Sequence, residues 1–280
     1  MNFLLQLRNE LWKLFGKKRT YIGFAMFLLT QNVVSIVFRF TKASRFMERL
    51  LEGNGHLVQP YISTLTIATV TLFPIAALLL PLYVSLVGGD LLAKEAEDGT
   101  LRMILARPVS RTRLIVLKWL AGTIFSIVLV GTLGAFGLAF ARVWFHWGGL
   151  FVWIPDQNIF GIFDSADGMR AYCIAHVMLV SEAISIMSAG FMFGCFNIKP
   201  AAATILALSF VFVNFILQNI PYFRDFQNWF FTYHLNLWQF MFAQPIPWWR
   251  VGASMSVLFG FNLTFLLIGV TAFQVRDIKS

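Results

Sequence analysis

The chain has 280 residues, of which 58% are hydrophobic and 12% charged, with a mean hydropathy of +0.73. Soluble domains carry about a quarter charged residues, so these figures exclude a soluble globular enzyme and point to an integral membrane protein. Lys and Arg number 22 against 13 Asp and Glu, but in a membrane chain the side on which cations sit matters more than their total, and no nucleic-acid partner is implied.

In chain order, Phe3, Leu4, Leu7, Leu11, Leu14 and Phe15 recur at steps of three and four, with Arg8, Asn9, Lys13 and Lys17 between them. That spacing predicts an amphipathic helix over residues 1–19, lying on the membrane surface with its basic face toward anionic lipid headgroups. It serves either as a plain membrane anchor or as an elbow that helps receive a partner. No small-residue cleavage site follows, so a removable signal peptide is not expected and the first span should be retained.

Six apolar runs follow: Tyr21 to Phe38, Tyr61 to Val87, Leu114 to Phe140, Ala171 to Phe196, Ala201 to Ile220 and Val251 to Val275. Each is long enough to cross a hydrocarbon core of about 30 Å as a helix, the form that satisfies backbone polar groups within one segment in lipid. The expected fold is therefore an all-α integral membrane protein forming one transmembrane domain over 1–280. Pro74 and Pro81 interrupt the backbone donors of the second span and are expected to kink it. Only Asn197, Ile198, Lys199 and Pro200 separate spans four and five, which makes a tight helical hairpin. Cys173 and Cys195 lie 22 residues apart on one helix, about 33 Å along its axis, too far to bridge.

With the N-terminus in the cytoplasm, fourteen of the Lys and Arg residues fall inside and eight outside, which favours cytoplasmic termini and an inner-membrane location. Four of the outer eight crowd the first outer loop: Arg39, Lys42, Arg45 and Arg49. The outer segments 141–170 and 221–250 hold seven of the nine tryptophans, an interfacial aromatic belt. Residues 221–249 are nearly as apolar as a span but broken by Pro221, Pro245 and Pro247. They read as short helices that dip into the outer leaflet and return, covered by protein, and a lid over a substrate path is one use for them.

Between spans two and three, residues 88–113 concentrate four of the thirteen acidic residues: Asp90, Glu95, Glu97 and Asp98. Local rules predict that Asp90 caps a helix running through Glu97, that Asp98-Gly99 stops it, and that Thr100 caps a second short helix. Arg107-Pro108 ends that helix and Ser110 caps the third span. The expected product is a pair of short helices with acidic and basic patches side by side, ordered enough to be a docking surface.

The run Glu95-Ala96-Glu97-Asp98-Gly99-Thr100-Leu101, followed by Leu105, Arg107-Pro108-Val109-Ser110-Arg111 and Lys118, resembles the cytoplasmic loop of bacterial ABC-transporter permease subunits of the type-2 exporter family. The resemblance extends to the basic amphipathic N-terminus, the two-proline second span, the short hairpin and the broken aromatic segment before the last span. It implies a permease that pairs with a second copy or a paralogue, sits in membrane lipid and is driven by separate cytoplasmic ATPase subunits, two of them, which bind the ATP and Mg. It implies export, and a coupling loop over residues 90–110 in which Glu95, Glu97, Gly99 and Thr100 make the ATPase contact, with Arg102, Arg107 and Arg111 near its rim. The alternative for the carboxylates is that Glu95 and Glu97 are merely solvated and only the Gly-Thr turn matters.

No Gly-x-x-x-x-Gly-Lys-Ser/Thr run occurs in the chain, so no nucleotide site or cofactor of its own is expected. There is no Gly-x-Ser-x-Gly nucleophile turn, and His56, His146, His176 and His234 fall in separate segments without metal-ligand spacing. Glu182 is the one acidic residue deep in a span, where burial of charge is costly. It is a candidate proton or cargo site, or else a neutral carboxyl that glues helices together near His176, Ser181 and Ser185. Two other functions stay open: a proton-coupled secondary transporter using Glu182, and an ATPase-coupled subunit that signals or assembles without moving cargo. Gln31, Asn32, Asn214, Gln218 and Asn262 are either interhelical glue or path-lining groups, and Gly122, Gly131, Gly134 and Gly137 form a groove for close helix packing within the subunit or at a dimer seam.

Overall fold

The computed structural model describes residues 3–106 and 109–276. An amphipathic helix α1 (Phe3–Phe15) leads into the first span α2 (Lys18–Phe40), and a short helix α3 (Arg45–Gly53) lies beyond its far end. The second span starts as α4 (Thr64–Pro74), passes through a π-helical stretch at Ile75–Leu79 and continues as α5 (Leu80–Glu97). A left-handed residue, Gly99, separates it from the short α6 (Thr100–Leu105), and the third span is α7 (Arg111–Trp144). After a two-stranded hairpin, β1 (Leu150–Ile154) and β2 (Ile159–Phe163), come α8 (Ser165–Cys195) and α9 (Pro200–Asn219), the fourth and fifth spans. Three short helices, a 3-10 turn at Pro221–Trp229, α10 (Phe231–Leu235) and a 3-10 turn at Asn236–Phe242, precede the last span α11 (Trp248–Val275). Among the described residues six helices are long and apolar enough to cross a membrane, in agreement with the six apolar runs of the sequence.

The spans arrange themselves around α8, whose apolar window is 67% buried against 17–56% for the other five. Small residues permit this. A Cβ on Gly190 would stand 2.6 Å from the Ser85 carbonyl oxygen, and one on Gly194 would stand 2.8 Å from that of Gly89. Two backbones therefore touch along Ser85–Gly89 and Met187–Gly194, the close approach that drives helix association where lipid supplies no hydrophobic force. Gly88 and Gly89, which look like helix breakers, lie inside α5 for this reason. Asp90 is correspondingly in the body of the helix rather than at its N-cap, contrary to the sequence expectation, because α5 starts ten residues earlier, at Leu80.

The proline pair shapes the second span by changing its winding. Pro74 and Pro81 each lack a donor, and between them the backbone shifts to π pairing, with the Leu80 N–H donating to the Ile75 carbonyl five residues back. Of the four glycines on α7, Gly134 packs against the His176 ring, Gly137 against Gln31 and Gly122 against Met187, so these three serve contacts within the subunit, whereas Gly131 meets open space. Two of the five amides join spans: Gln31 Nε2 donates to the Leu133 carbonyl of α7 at 2.8 Å, and Asn262 Nδ2 donates to Ser185 Oγ of α8 at 2.9 Å, whereas Asn214 Nδ2 donates to the Phe210 carbonyl of its own helix.

At the end where α4 starts, Ser63 caps that helix by accepting from Leu65 and Thr66 N–H, and its hydroxyl donates to the Gly149 carbonyl at 2.5 Å. This fastens the hairpin, whose strands pair antiparallel from Leu150 opposite Phe163 to Ile154 opposite Ile159. The strands were not anticipated. The alternating Ile159-Phe160-Gly161-Ile162-Phe163 and the Pro155-to-Asn158 turn with Asn158 at φ 54° were the available signals, masked by the tryptophan content. Residues 221–249 fold as short helices that bury Phe231, Trp238 and Phe242, as their broken apolar pattern suggests.

Gly190→Leu forces a branched side chain into the Ser85 backbone, and overpacking of this kind costs about 1–3 kcal/mol or more. The variant is expected to melt well below the parent in detergent, while Gly131→Ala, with nothing near its new methyl, should match the parent; equal melting of Gly190→Leu would dismiss the helix-contact assignment.

Candidate coupling site at the end of the second span

Helix α1 packs on the bundle along a seam that contains polar side chains. Gln6, Glu10 and Leu14, one turn apart, face the protein, while Leu4 and Trp12 are exposed at 76% and 73%. The reason is electrostatic. Lys118 on α7 is 1% exposed, and its ammonium sits 2.8 Å from Glu10 Oε2 of α1 and 2.8 Å from Glu95 Oε2 of α5. Lys13 reinforces the pair from the rim, donating to Glu10 at 2.7 Å and to Glu95 at 3.3 Å. A buried ammonium is costly unless paired, so three helices meet on one cation. Nearby, Arg19 at the start of α2 pairs with Asp90 of α5, and the Tyr83 hydroxyl donates to the Thr20 carbonyl. These side chains line a narrow cleft.

The pKa directions on α1 follow from this arrangement. Burial works to raise the Glu10 carboxyl, but Lys118 and Lys13 together hold it below the ordinary value. Burial likewise works to lower Lys13, and Glu10 and Glu95 more than reverse it, so its ammonium is held above the ordinary value. Lys17, with no such close partner, is lowered by burial.

The sequence-predicted residues separate into distinct groups. Glu95 turns its carboxylate into the Lys118 cluster, whereas Glu97 is exposed and pairs with Lys94 at 2.7 Å, with Asp98 also on Lys94 at 3.1 Å. Gly99 adopts φ +73°, the left-handed conformation that costs a side-chain-bearing residue about 1–2 kcal/mol. Thr100 does not cap α6 as expected: the cap position is Gly99, and the Thr100 hydroxyl donates back to the Glu95 carbonyl at 3.2 Å, tying the turn to the end of α5. In α6, Leu101 is buried while Arg102 and Met103 are exposed.

Arg107 lies outside the described residues. Ser110 caps α7 as expected, accepting from Arg113 N–H at 3.3 Å. Arg111 instead reaches the end of the last span, donating to the carbonyls of Gln274 and Arg276, each at 3.0 Å, which is the use of a cation at a helix C-terminus. Arg276 continues the tie to the Phe196 carbonyl and Asn197 of the α8–α9 hairpin. Lys13 stands in the amphipathic pattern of the first helix and Lys118 in the run that carries the resemblance, but the sequence does not join them, and Glu10, Arg19 and Met103 carry no sequence signal for this cluster beyond the charge of Glu10 on an otherwise apolar face.

Glu182 is 4% exposed on α8 beside the Trp238 indole, and neither its Oε2 nor Trp238 Nε1 completes a hydrogen bond among the described residues. His176 bonds the Tyr172 carbonyl at 2.8 Å and, six residues away, points about 240° round the helix from Glu182, so the two do not form a pair. The described residues hold no group of three or more His, Cys, Asp or Glu suited to a metal.

Because the Glu10 pKa is depressed in the folded protein, its contribution to stability is present above the ordinary carboxylate range and is lost as pH falls through the depressed value. Docking of α1, followed by labelling of a cysteine introduced at Leu14, should hold at neutral pH and release in acid. The double variant Glu10→Gln, Glu95→Gln leaves the Lys118 ammonium without an anion and should destabilise by about 3–5 kcal/mol. Adding Lys118→Met should recover most of that loss in a thermal melt, and failure to recover would show that the cation is not the cause.

The model of the ABC-2 family transporter proteins matches residues 7–226. No curated protein matches the chain. The match takes in α1, five of the six spans, the α5–α6 turn with its charged cluster and the α8–α9 hairpin, and covers well over half of the 280 residues. The chain belongs to the ABC-2 transporter family and is a membrane permease subunit of an ABC transporter.

Proposed function

We propose that this permease exports its cargo under the drive of two cytoplasmic ATPase subunits, which bind ATP and Mg and dock on residues 90–110, and that it works as a dimer with a second copy or a paralogue. Both termini then face the cytoplasm of the inner membrane, as the distribution of Lys and Arg favours. The observation that carries the reading is the turn at Glu97, Asp98 and Gly99. It is exposed, it is set by a left-handed glycine, and it continues without a break into the most tightly packed half of the second span.

The docking surface is Glu97, Gly99, Thr100, Arg102 and the apolar Met103, with carboxylates available to basic groups on the ATPase. Glu95 has a different part in the same site. Through Lys118 it ties the coupling turn to α1 and α7, so displacement of the turn is transmitted to three helices at once. Arg111 extends the connection to α11. Glu182 supports a second reading, proton coupling, because its buried Oε2 has no partner among the described residues. Glu182→Gln discriminates: ATP-driven transport in vesicles should survive the change, whereas a proton-coupled mechanism loses its carrier.

Replacing Glu97 by Ala together with Gly99 by Val should lower ATPase co-purification in mild detergent by about tenfold, since two favourable charge or turn features worth roughly 0.5–1 kcal/mol each are lost at the contact. Membrane insertion should be intact. Co-purification at the parent level would remove the docking assignment.

A further inference from the structure

Between α3, α4 and β1 lies a groove of about 790 Å³ lined by Phe38, Phe46, Met47, Val70, Phe73 and Trp153 among others. Its one hydroxyl, Thr69, is fully buried, and Thr69 Oγ1 has no hydrogen-bond partner among the described residues. This is unusual within the chain, where Thr30, Thr71, Thr123, Thr204 and Thr264 all donate to a carbonyl three or four residues back. The groove runs from α3 to Pro74, about 15 Å along α4 from its first residue. Its walls are held firm by a small separate core of Met47, Leu51 and Phe151, and by the Phe46 and Trp153 rings at 5.2 Å.

On the other side of Phe38 opens a second cavity, of about 930 Å³, lined by Arg39, Thr41, Ser44, Glu48, Gln59 and His146 among others. Its one acidic group, Glu48, accepts a hydrogen bond from Ser44 at 2.6 Å. Arg39 lines this cavity, Lys42, Arg45 and Arg49 are exposed on the adjoining turn and α3, and among the described residues none of the four has an acidic partner within ion-pair distance. Four cations on the expected outer loop run against the charge bias that orients the chain, and no carboxylate among the described residues pairs with them.

We infer that this pair of cavities is a binding site for an anionic membrane lipid of the outer leaflet, with an acyl chain in the Phe38–Phe73 groove and the headgroup phosphate among Arg39, Lys42, Arg45 and Arg49. The inference rests on the orientation proposed above for naming the leaflet, but the site itself does not. An apolar slot beside a water-open chamber that has Arg39 on its wall, with Phe38 lining both and three further exposed cations on the same loop, has the chemistry of an amphiphile. A polar solute has no partners in the groove, and a neutral hydrocarbon makes no use of the cations.

The full chain, reconstituted without ATPase in nanodiscs containing equal amounts of photoactivatable phosphatidylglycerol and phosphatidylcholine, provides the test. Cross-linked peptides from 38–50 and 69–74 should carry phosphatidylglycerol about fivefold over phosphatidylcholine, as expected for several cations at the membrane surface. Reversing Arg39, Arg45 and Arg49 to Glu, all exposed, should bring that ratio to one or below. Val70→Trp should remove labelling of the groove by both lipids; should that variant misfold, the parent map and the charge reversal still decide. Uniform labelling of all lipid-facing helices, or equal labelling by the two lipids, would overturn the inference. So would zero-length cross-links joining the groove of one copy to that of another, which would make it a dimer seam. The ATPase pull-down reads residues 97–103 independently, so either result can fail without the other.

Discussion

A lysine ammonium with almost no exposure sits where α1, α5 and α7 converge, and the placement of α1 and of the end of α5 depends on it. Lys118 cannot be moved to water without separating these helices, and Glu10 and Glu95 cannot leave it without stranding a charge of high cost in a poorly solvated place. The cluster thus behaves as a clamp with few intermediate positions: intact, it holds the amphipathic helix by its polar face; broken, it leaves a buried cation. This accounts for the exposure of Trp12 and Leu4, which turn toward lipid because Gln6, Glu10 and Leu14 are drawn the other way.

The clamp acts on a rigid body. Glycines at Gly190 and Gly194 bring α8 onto the backbone of α5, so α5 and the central helix form one unit. The outer half differs. Between Pro74 and Pro81 the π winding replaces ordinary pairing over five residues, and Phe73 just above it lies against Trp238, whose indole is beside Glu182. Irregular winding of this kind concentrates bending, because the freed carbonyls there are not committed to the regular ladder.

Much of this was legible in the residues, and the exceptions share a cause. The six spans follow from hydropathy alone, and the α8–α9 hairpin and the Ser110 cap follow from local chemistry that no distant contact overrides. Asp90 was misread because Gly88-Gly89 signals a break in isolation, whereas here the glycines exist for α8, a partner about a hundred residues away in sequence. Thr100 was misread for a similar reason, since Gly99 takes the cap position and frees the hydroxyl for Glu95. The basic residues Arg8 and Lys13 of α1, and Lys17 just after it, are exposed, and only the fold shows that Glu10, on the seam between them and the apolar positions, meets Lys118. Glu95 and Glu97 are two residues apart in one motif, yet they face roughly 200° apart on the helix, and this divides them between clamp and surface.

That division bears on how a permease subunit conveys work. A docking surface built only of solvated side chains would yield locally when pushed, because exposed ion pairs are worth little and rearrange readily. Here the exposed turn is continuous with a buried ion cluster on one side, and on the other Arg111 holds the end of α11 through backbone carbonyls that cannot swing away. In the proposed coupling, a push at Gly99 is therefore carried into α1, α5, α7 and α11 before it is lost in loop motion. The second span then delivers it to the π segment, where the inner half ends and the wall of the outer groove begins at Pro74 and Phe73. In that proposal, bending at this point alters the shape of the groove without breaking the α5–α8 contact, so one helix links the Glu97–Gly99 turn to the groove at its other end.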